Sequence, residues 1–169
     1  MRAIIQRVSS ASVAVDNKVI SRISTGLMVL VGIGIDDTEV DVAVLSKKIL
    51  ALRIFENPEQ PGQMWKASVK DIEGEVLCVS QFTLMANTSK GNKPDFHRAM
   101  PTEPSKKLYS TFLEALKLSY EADKIFDGRF GAMMSVSLMN EGPVTFTLDS
   151  RKYEYLENAS SSTMRALSG

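Results

Sequence analysis

Histidine and cysteine are almost missing from this 169-residue chain, which holds one of each, His97 and Cys78. That excludes an internal disulfide and any metal centre built from the usual nitrogen and sulfur donors. The carboxylates do not cluster at metal-ligand spacing either, so neither a metal nor a cofactor is expected. An excess of one charge is also missing: 20 basic residues face 20 acidic ones, and attraction to nucleic acid cannot come from the molecule as a whole. The longest apolar stretch, residues 26–35, is too short to span a bilayer, so no membrane segment is expected. Residues 1–7 meet a second charge at Arg7, lack the apolar core of a secretory signal, and point to a cytoplasmic location. No P-loop and no dinucleotide fingerprint occurs, which leaves nucleotide-driven and redox chemistry without a motif.

What is present is an ordinary globular composition, 44% apolar and 24% charged, in a length that suits one domain. The expected domain covers residues 1–155. The remainder, 156–169, contains Asn158-Ala159-Ser160-Ser161-Ser162, lacks apolar weight and reads as a flexible tail. Alternation through Val15, a turn at Asp16-Asn17 and then Val19-Ile20 predict a long hairpin. Residues 27–35 are apolar on both faces, as in a strand covered on both sides, and Gly32 and Gly34 permit close backbone approach.

Thr38 with Asp41 marks a helix start, and that helix should end near Ala51. Residues 52–55 read as a short strand. Two prolines and a glycine in residues 57–62 make a loop, which Trp65 and Val69 should fold back onto the body. A strand over residues 75–81 follows. After a polar loop over residues 86–101, Tyr109, Phe112 and Leu116 predict a second helix with a core-facing stripe. Alternation at Val136, Leu138 and again at Val144, Phe146, Leu148 predicts two half-buried strands joined through Asn140-Glu141-Gly142-Pro143.

Catalytic candidates are few. Ser80-Gln81-Phe82-Thr83-Leu84 stands where a buried strand opens into a polar loop, yet nothing in the sequence supplies a base for its hydroxyls, and a hydroxyl at its ordinary pKa is a poor nucleophile. The sequence identifies no carboxylate to orient His97 as a triad base. Cys78 lies in an apolar run, where burial suppresses the thiolate. What remains is a site that works by positioning and by backbone N–H groups near Phe82 and Thr83, which suits an already activated substrate such as an ester. Residues 88–107 carry five basic and two acidic residues, a local +3 that offers a small phosphate-contacting surface or simply a solvated loop.

Several stretches then match a known family: Gln6-Arg7-Val8, residues 26–38, Val79-Ser80-Gln81-Phe82-Thr83-Leu84, Lys90-Gly91-Asn92-Lys93-Pro94-Asp95-Phe96, Phe130-Gly131-Ala132-Met133-Met134 and Asn140-Glu141-Gly142-Pro143-Val144-Thr145. The chain resembles the D-aminoacyl-tRNA deacylases from Met1 to about Asp149. The resemblance implies a small α/β fold with a β-barrel-like sheet and two main helices, forming a two-fold homodimer with active sites at the interface. It implies catalysis around Ser80, Gln81, Phe82 and Thr83, without a cofactor. It implies substrate binding and chiral selection by Gly142, Pro143, Arg7, Leu84 and Met133, the Gly142-Pro143 bond being cis and reaching into the partner's site. Lys90, Lys93 and Arg98 are the candidate contacts to the 3′ end of aminoacyl-tRNA. The reaction implied is hydrolysis of D-aminoacyl-tRNA, and of glycyl-tRNA mischarged on tRNA(Ala), with L-amino acids excluded. Two other readings stand beside it: an RNA-binding module without catalysis, and an esterase for small molecules.

Overall fold

A computed structural model of the protein describes residues 1–89 and 91–151. The expected tail and Lys90 lie outside the described residues. In chain order the elements are β1 (Arg2–Val15), β2 (Lys18–Ile23), β3 (Gly26–Gly32), α1 (Glu39–Ala51), β4 (Glu75–Ser80), α2 (Thr102–Ser119), β5 (Ile125–Asp127) and β6 (Ser135–Asp149). Short 3-10 turns at Phe82–Met85 and Ala122–Lys124 follow β4 and α2.

The strands form one mixed sheet in the order β2-β1-β3-β4-β5, with β6 on the far side of β1. β1 is long enough to serve three neighbours. Its first half pairs antiparallel with β3, its second half with β2, and β6 runs antiparallel along both halves. β3, β4 and β5 are parallel, and such pairs need crossovers, which α1 and α2 supply. The sheet curls until β2 approaches β4 and β5, giving a nearly closed barrel with two helices on its outside.

This geometry explains the doubly apolar β3. Leu27, Val29 and Val31 face a core shared with Leu45 and Ile49 of α1 and Phe112 and Leu116 of α2. Met28 points the other way, into a barrel interior shared with Val8, Val13, Leu77 and Val79. Cys78 belongs to the helix-side core, where burial pushes its thiol up and keeps it inert.

Local chemistry sets the connections. Asp16 and Asn17 both take positive φ, 50° and 60°, the mirror-image turn whose twist matches a hairpin. Thr38 and Asp41 form a reciprocal capping box: the Thr38 hydroxyl accepts from Val40 N at 3.3 Å, and Thr38 N donates to Asp41 Oδ2 at 2.8 Å. Val69 is fully buried, and Trp65 sets its ring edge against Phe146 at 6.4 Å, so the proline loop does fold back.

Two sequence expectations are corrected. Residues 52–55 do not form a strand; Phe55 makes one isolated bridge, to Ala67, because the loop supplies a single partner rather than a ladder. The two expected strands at the C-terminal end are one continuous strand, β6. Asn140-Glu141-Gly142-Pro143 does not separate two strands, because β1 pairs with both flanks on the same edge and the intervening residues form a bulge.

Candidate active site

A cleft of about 840 Å³ opens beyond the carboxyl ends of the parallel strands β3 and β4, the place where α/β sheets habitually bind ligands. Val31, Ile33 and Val79 line its base, with Met134 and Val136 from the approach to β6. Ser80, Gln81 and Phe82 form one wall, Phe96, Met100, Thr102 and Ser105 a second, and Phe130 to Met133 a third. Phe82 and Phe96 meet edge to face at 5.0 Å at the rim. Met133 is 92% exposed there, a large apolar side chain with nothing over it.

Among the described residues not one that lines the cleft is ionisable; Ser80, Thr102 and Ser105 are the hydroxyls and Gln81 the only amide side chain. Thr83 and Leu84 do not line the cleft. The Thr83 hydroxyl accepts a short hydrogen bond from the Gln81 side-chain amide, and Leu84 packs down on β3. The chain turns there because Gln81 N still donates to Val31 O at 2.7 Å while Leu84 N and Ala86 N already donate to Gln81 O and Thr83 O. The N-terminus of this 3-10 turn has no side-chain cap, and the first amides of such a turn have no partner within it. The expectation for His97 is corrected in one respect: Asp95 Oδ2 does orient it, 2.5 Å from Nδ1, but His97 is exposed and outside the cleft lining. The sequence hid this partner because an i, i+2 pair meets only when the loop turns tightly.

Arg7, Gly142 and Pro143 form a separate cluster. Gln6 pairs with Thr145 and Val8 with Asn140, so Arg7 alone faces the four residues 141–144. The neck of this bulge is tied by Asn140, whose Nδ2 donates to Val144 O at 3.3 Å and reaches Thr145 Oγ1 at 3.2 Å. The Gly142-Pro143 peptide bond is cis, and both residues are exposed. Gly142 has φ +112°, and a Cβ on it would lie 2.8 Å from Val144 Cγ2 and 3.1 Å from Arg7 Nη2, so the position requires glycine. The Arg7 side chain is buried beneath the bulge. Its Nη1 donates to Ile54 O at 2.7 Å, and its Nε stands 3.6 Å from Glu141 Oε2. None of the three residues lines the cleft of its own chain.

The family model described as D-Tyr-tRNA(Tyr) deacylase matches residues 4–149. The chain belongs to this family. A D-aminoacyl-tRNA deacylase of Candida glabrata is 57% identical over 150 residues, spanning 89% of this chain and 99% of that protein. Among solved structures, one titled c-Myc DNA Unwinding Element Binding Protein is 49% identical with a TM-score of 0.84, covering 88% of this chain and 98% of its own. Another, titled a probable eukaryotic D-amino acid tRNA deacylase, has a TM-score of 0.75 at 21% identity over the same shares and attests the fold alone.

Within this deacylase-family frame, further residues shape the cleft without a clear mark in the sequence. Phe96 is flanked by Asp95 and His97, and an aromatic ring in so polar a loop was the one available signal. Phe130 is backed by the buried Tyr109, 5.7 Å between centroids, and Tyr109 in turn donates to Asp127 Oδ1 at 2.6 Å. Desolvation raises the Asp127 carboxyl above its usual range, against the opposing effect of that bond. This pair ties α2 to β5 behind the cleft wall. Lys93 and Arg98 are exposed on the segment that also supplies Phe96, Ala99 and Met100 to the cleft, and Lys106 and Lys107 are exposed on the first turns of α2. Among the described residues no cluster could hold a metal ion, and no helix is long and apolar enough to cross a membrane.

Proposed function

We propose that the protein is a hydrolase that cleaves the ester bond of D-aminoacyl-tRNA, releasing free D-amino acid and tRNA, and that its selectivity is steric. One observation carries the mechanism: a large cleft whose lining, among the described residues, holds not a single ionisable side chain. Such a site offers neither general base nor activated nucleophile, so it must position a substrate that is already reactive. An aminoacyl ester qualifies. The ribose 2′-OH beside the ester assists attack by water, and the uncapped amides of Phe82 and Thr83 receive the negative charge that develops on the carbonyl oxygen. Ser80 and Gln81 hold the amino-acid end, and the Phe82–Phe96 pair offers an aromatic platform to the terminal base.

Gly142-Pro143 supplies the chiral filter, and it does so in the cleft of a second copy. It is exposed, it stands outside its own cleft, and β6 beside it leaves the apolar side chains of Val136, Leu138 and Met139 exposed. A two-fold dimer across this face covers those side chains and completes two sites at once. Main-chain groups fixed over Arg7 then occupy the space that an L side chain would need, with Leu84 and Met133 at the margins, so discrimination comes from exclusion. Lys93 and Arg98, with Lys90, draw in the phosphates near the 3′ end of the tRNA in the cytoplasm.

The test is deacylation of matched D- and L-tyrosyl-tRNA together with a simple tyrosyl ester. Rapid cleavage of the D form alone supports the reading. Equal rates on both enantiomers refute it, binding without turnover leaves an RNA-binding module, and cleavage of the simple ester at the same rate leaves a general esterase.

A further inference from the structure

Arg2 reaches from the start of β1 to the 3-10 turn that bounds the cleft. In the sheet it lies in register between Gly32 of β3 and Asp149 of β6. Its Nη1 donates to Leu84 O at 3.1 Å, and its Nε donates to Asp149 Oδ2 at 3.0 Å. The other Asp149 oxygen accepts from Arg151 N at 3.0 Å, so the carboxylate is itself fixed. Directly below, Gly32 has no Cβ for good reason: one built there would stand 2.7 Å from Leu84 Cβ and 3.0 Å from Gln81 O. The turn is therefore seated on bare backbone and clamped at its carbonyl end by a guanidinium.

We propose that Arg2 is a positioning residue for the reaction, holding the Phe82–Met85 turn in register against the strand that carries Gly142-Pro143. This rests on the reading of that turn as the wall facing the developing oxyanion. The carbonyls at the end of a helical turn have no partner within it, and a planar guanidinium satisfies one of them while its second edge holds a carboxylate. A lysine concentrates its three donors on one nitrogen and lacks the planar fork that spans both partners. Without Arg2 the Leu84 carbonyl is orphaned and the turn is free to slide on Gly32, which displaces the Phe82 and Thr83 amides from the reacting carbonyl. An error of that kind acts on the transition state more than on ground-state binding, so it lowers kcat rather than raising KM.

The experiment compares Arg2→Met, Arg2→Lys and Asp149→Asn on D-tyrosyl-tRNA, with backbone amide resonances of residues 82–85 read in the same samples. In Arg2→Met, kcat falls about tenfold to a hundredfold with KM within about twofold, and the turn resonances shift while those of β4 residues 76–79 stay in place. Arg2→Lys recovers part of the rate. Asp149→Asn keeps the Leu84 bond but loosens its anchor, gives a smaller fall in kcat alone, and serves if Arg2→Met does not fold. Unshifted turn resonances overturn the proposal, as do kcat and KM that change by one common factor in both Arg2 variants. Shifted resonances with an untouched kcat refute the oxyanion reading of the turn, and the proposal falls with it; unshifted resonances with a normal kcat refute the role of Arg2 alone.

Discussion

Replacing Arg7 by methionine separates a residue kept for geometry from one kept for stability. The substitution removes a charged hydrogen bond to a buried carbonyl, Ile54 O, and leaves that carbonyl bare, a loss of about 1.5–3 kcal/mol. The pair with Glu141 adds little: the carboxylate is 54% exposed, the separation is 3.6 Å, and such pairs contribute about 0–1 kcal/mol. On the other side, Arg7 Nε is buried with no hydrogen-bond partner, which already costs about 1–3 kcal/mol in the wild type. Methionine fills most of the same volume without that penalty. The two sides nearly cancel, so net destabilisation stays within about 1 kcal/mol, and the melting temperature moves by no more than about 4 °C in a chain of this size.

Function should change far more than stability. With no guanidinium under Gly142, the bulge loses the group that stands 3.1 Å from where a Cβ would sit, and the residues 141–144 can settle toward β1. If the bulge is the steric filter, L-tyrosyl-tRNA then becomes a substrate of the variant, while D-tyrosyl-tRNA slows. The assay is deacylation of both enantiomers beside thermal unfolding at one fixed protein concentration, since the proposed dimer would make the melting temperature concentration-dependent. A fall in melting temperature above about 10 °C with the D/L ratio intact would make Arg7 a structural residue and refute the reasoning.

Four further outcomes follow from the same geometry. Gly32→Ala forces a Cβ against Leu84 and Gln81, costs about 1–3 kcal/mol in a urea titration, and abolishes most activity by lifting the 3-10 turn; wild-type turnover would show that the turn is not part of the site. Thr83→Val keeps turnover within about tenfold, because the hydroxyl accepts from Gln81 and lies outside the cleft lining, whereas a nucleophilic Thr83 would make the variant inactive and a covalent adduct trappable. Glycyl-tRNA is cleaved, since glycine has no side chain to be excluded, and its resistance at enzyme levels that clear D-tyrosyl-tRNA would refute steric exclusion. Asp127→Asn alters the pH dependence of stability. The folded Asp127 pKa is raised, so its contribution is complete below the unfolded value near 3.8 and is lost as pH rises through the folded value. The variant lacks that loss, and its urea midpoint should decline less than the wild type's between pH 4 and 7; parallel curves would refute the assignment.

Much of the fold was written locally. The Asp16-Asn17 turn needs only two residues that tolerate positive φ, and the Thr38–Asp41 box is complete within four residues. The apolar pattern of β3 announced cover on both faces, because a strand packed on one side alternates and this one does not. Motif order identified the deacylase resemblance in the same way, since Ser80 to Leu84 and Asn140 to Thr145 are contiguous words.

The tertiary structure decided what depends on partners distant in sequence. Asn140-Glu141-Gly142-Pro143 read as a connection between two strands because glycine and proline break any strand pattern; only β1, more than a hundred residues away, holds both flanks on one edge and makes residues 141–144 a bulge. Arg7 reads as a charge in an apolar strand until Ile54 and Glu141 close around it. Arg2 and Asp149 carry no local signal, and they meet because β1 pairs with the end of β6. The scarcity of His and Cys narrowed the chemistries a site could carry, since composition alone limits what a site can contain. That the described residues would bring no ionisable group to the cleft lining was decided by which faces of β3, β4 and α2 the barrel turned toward it.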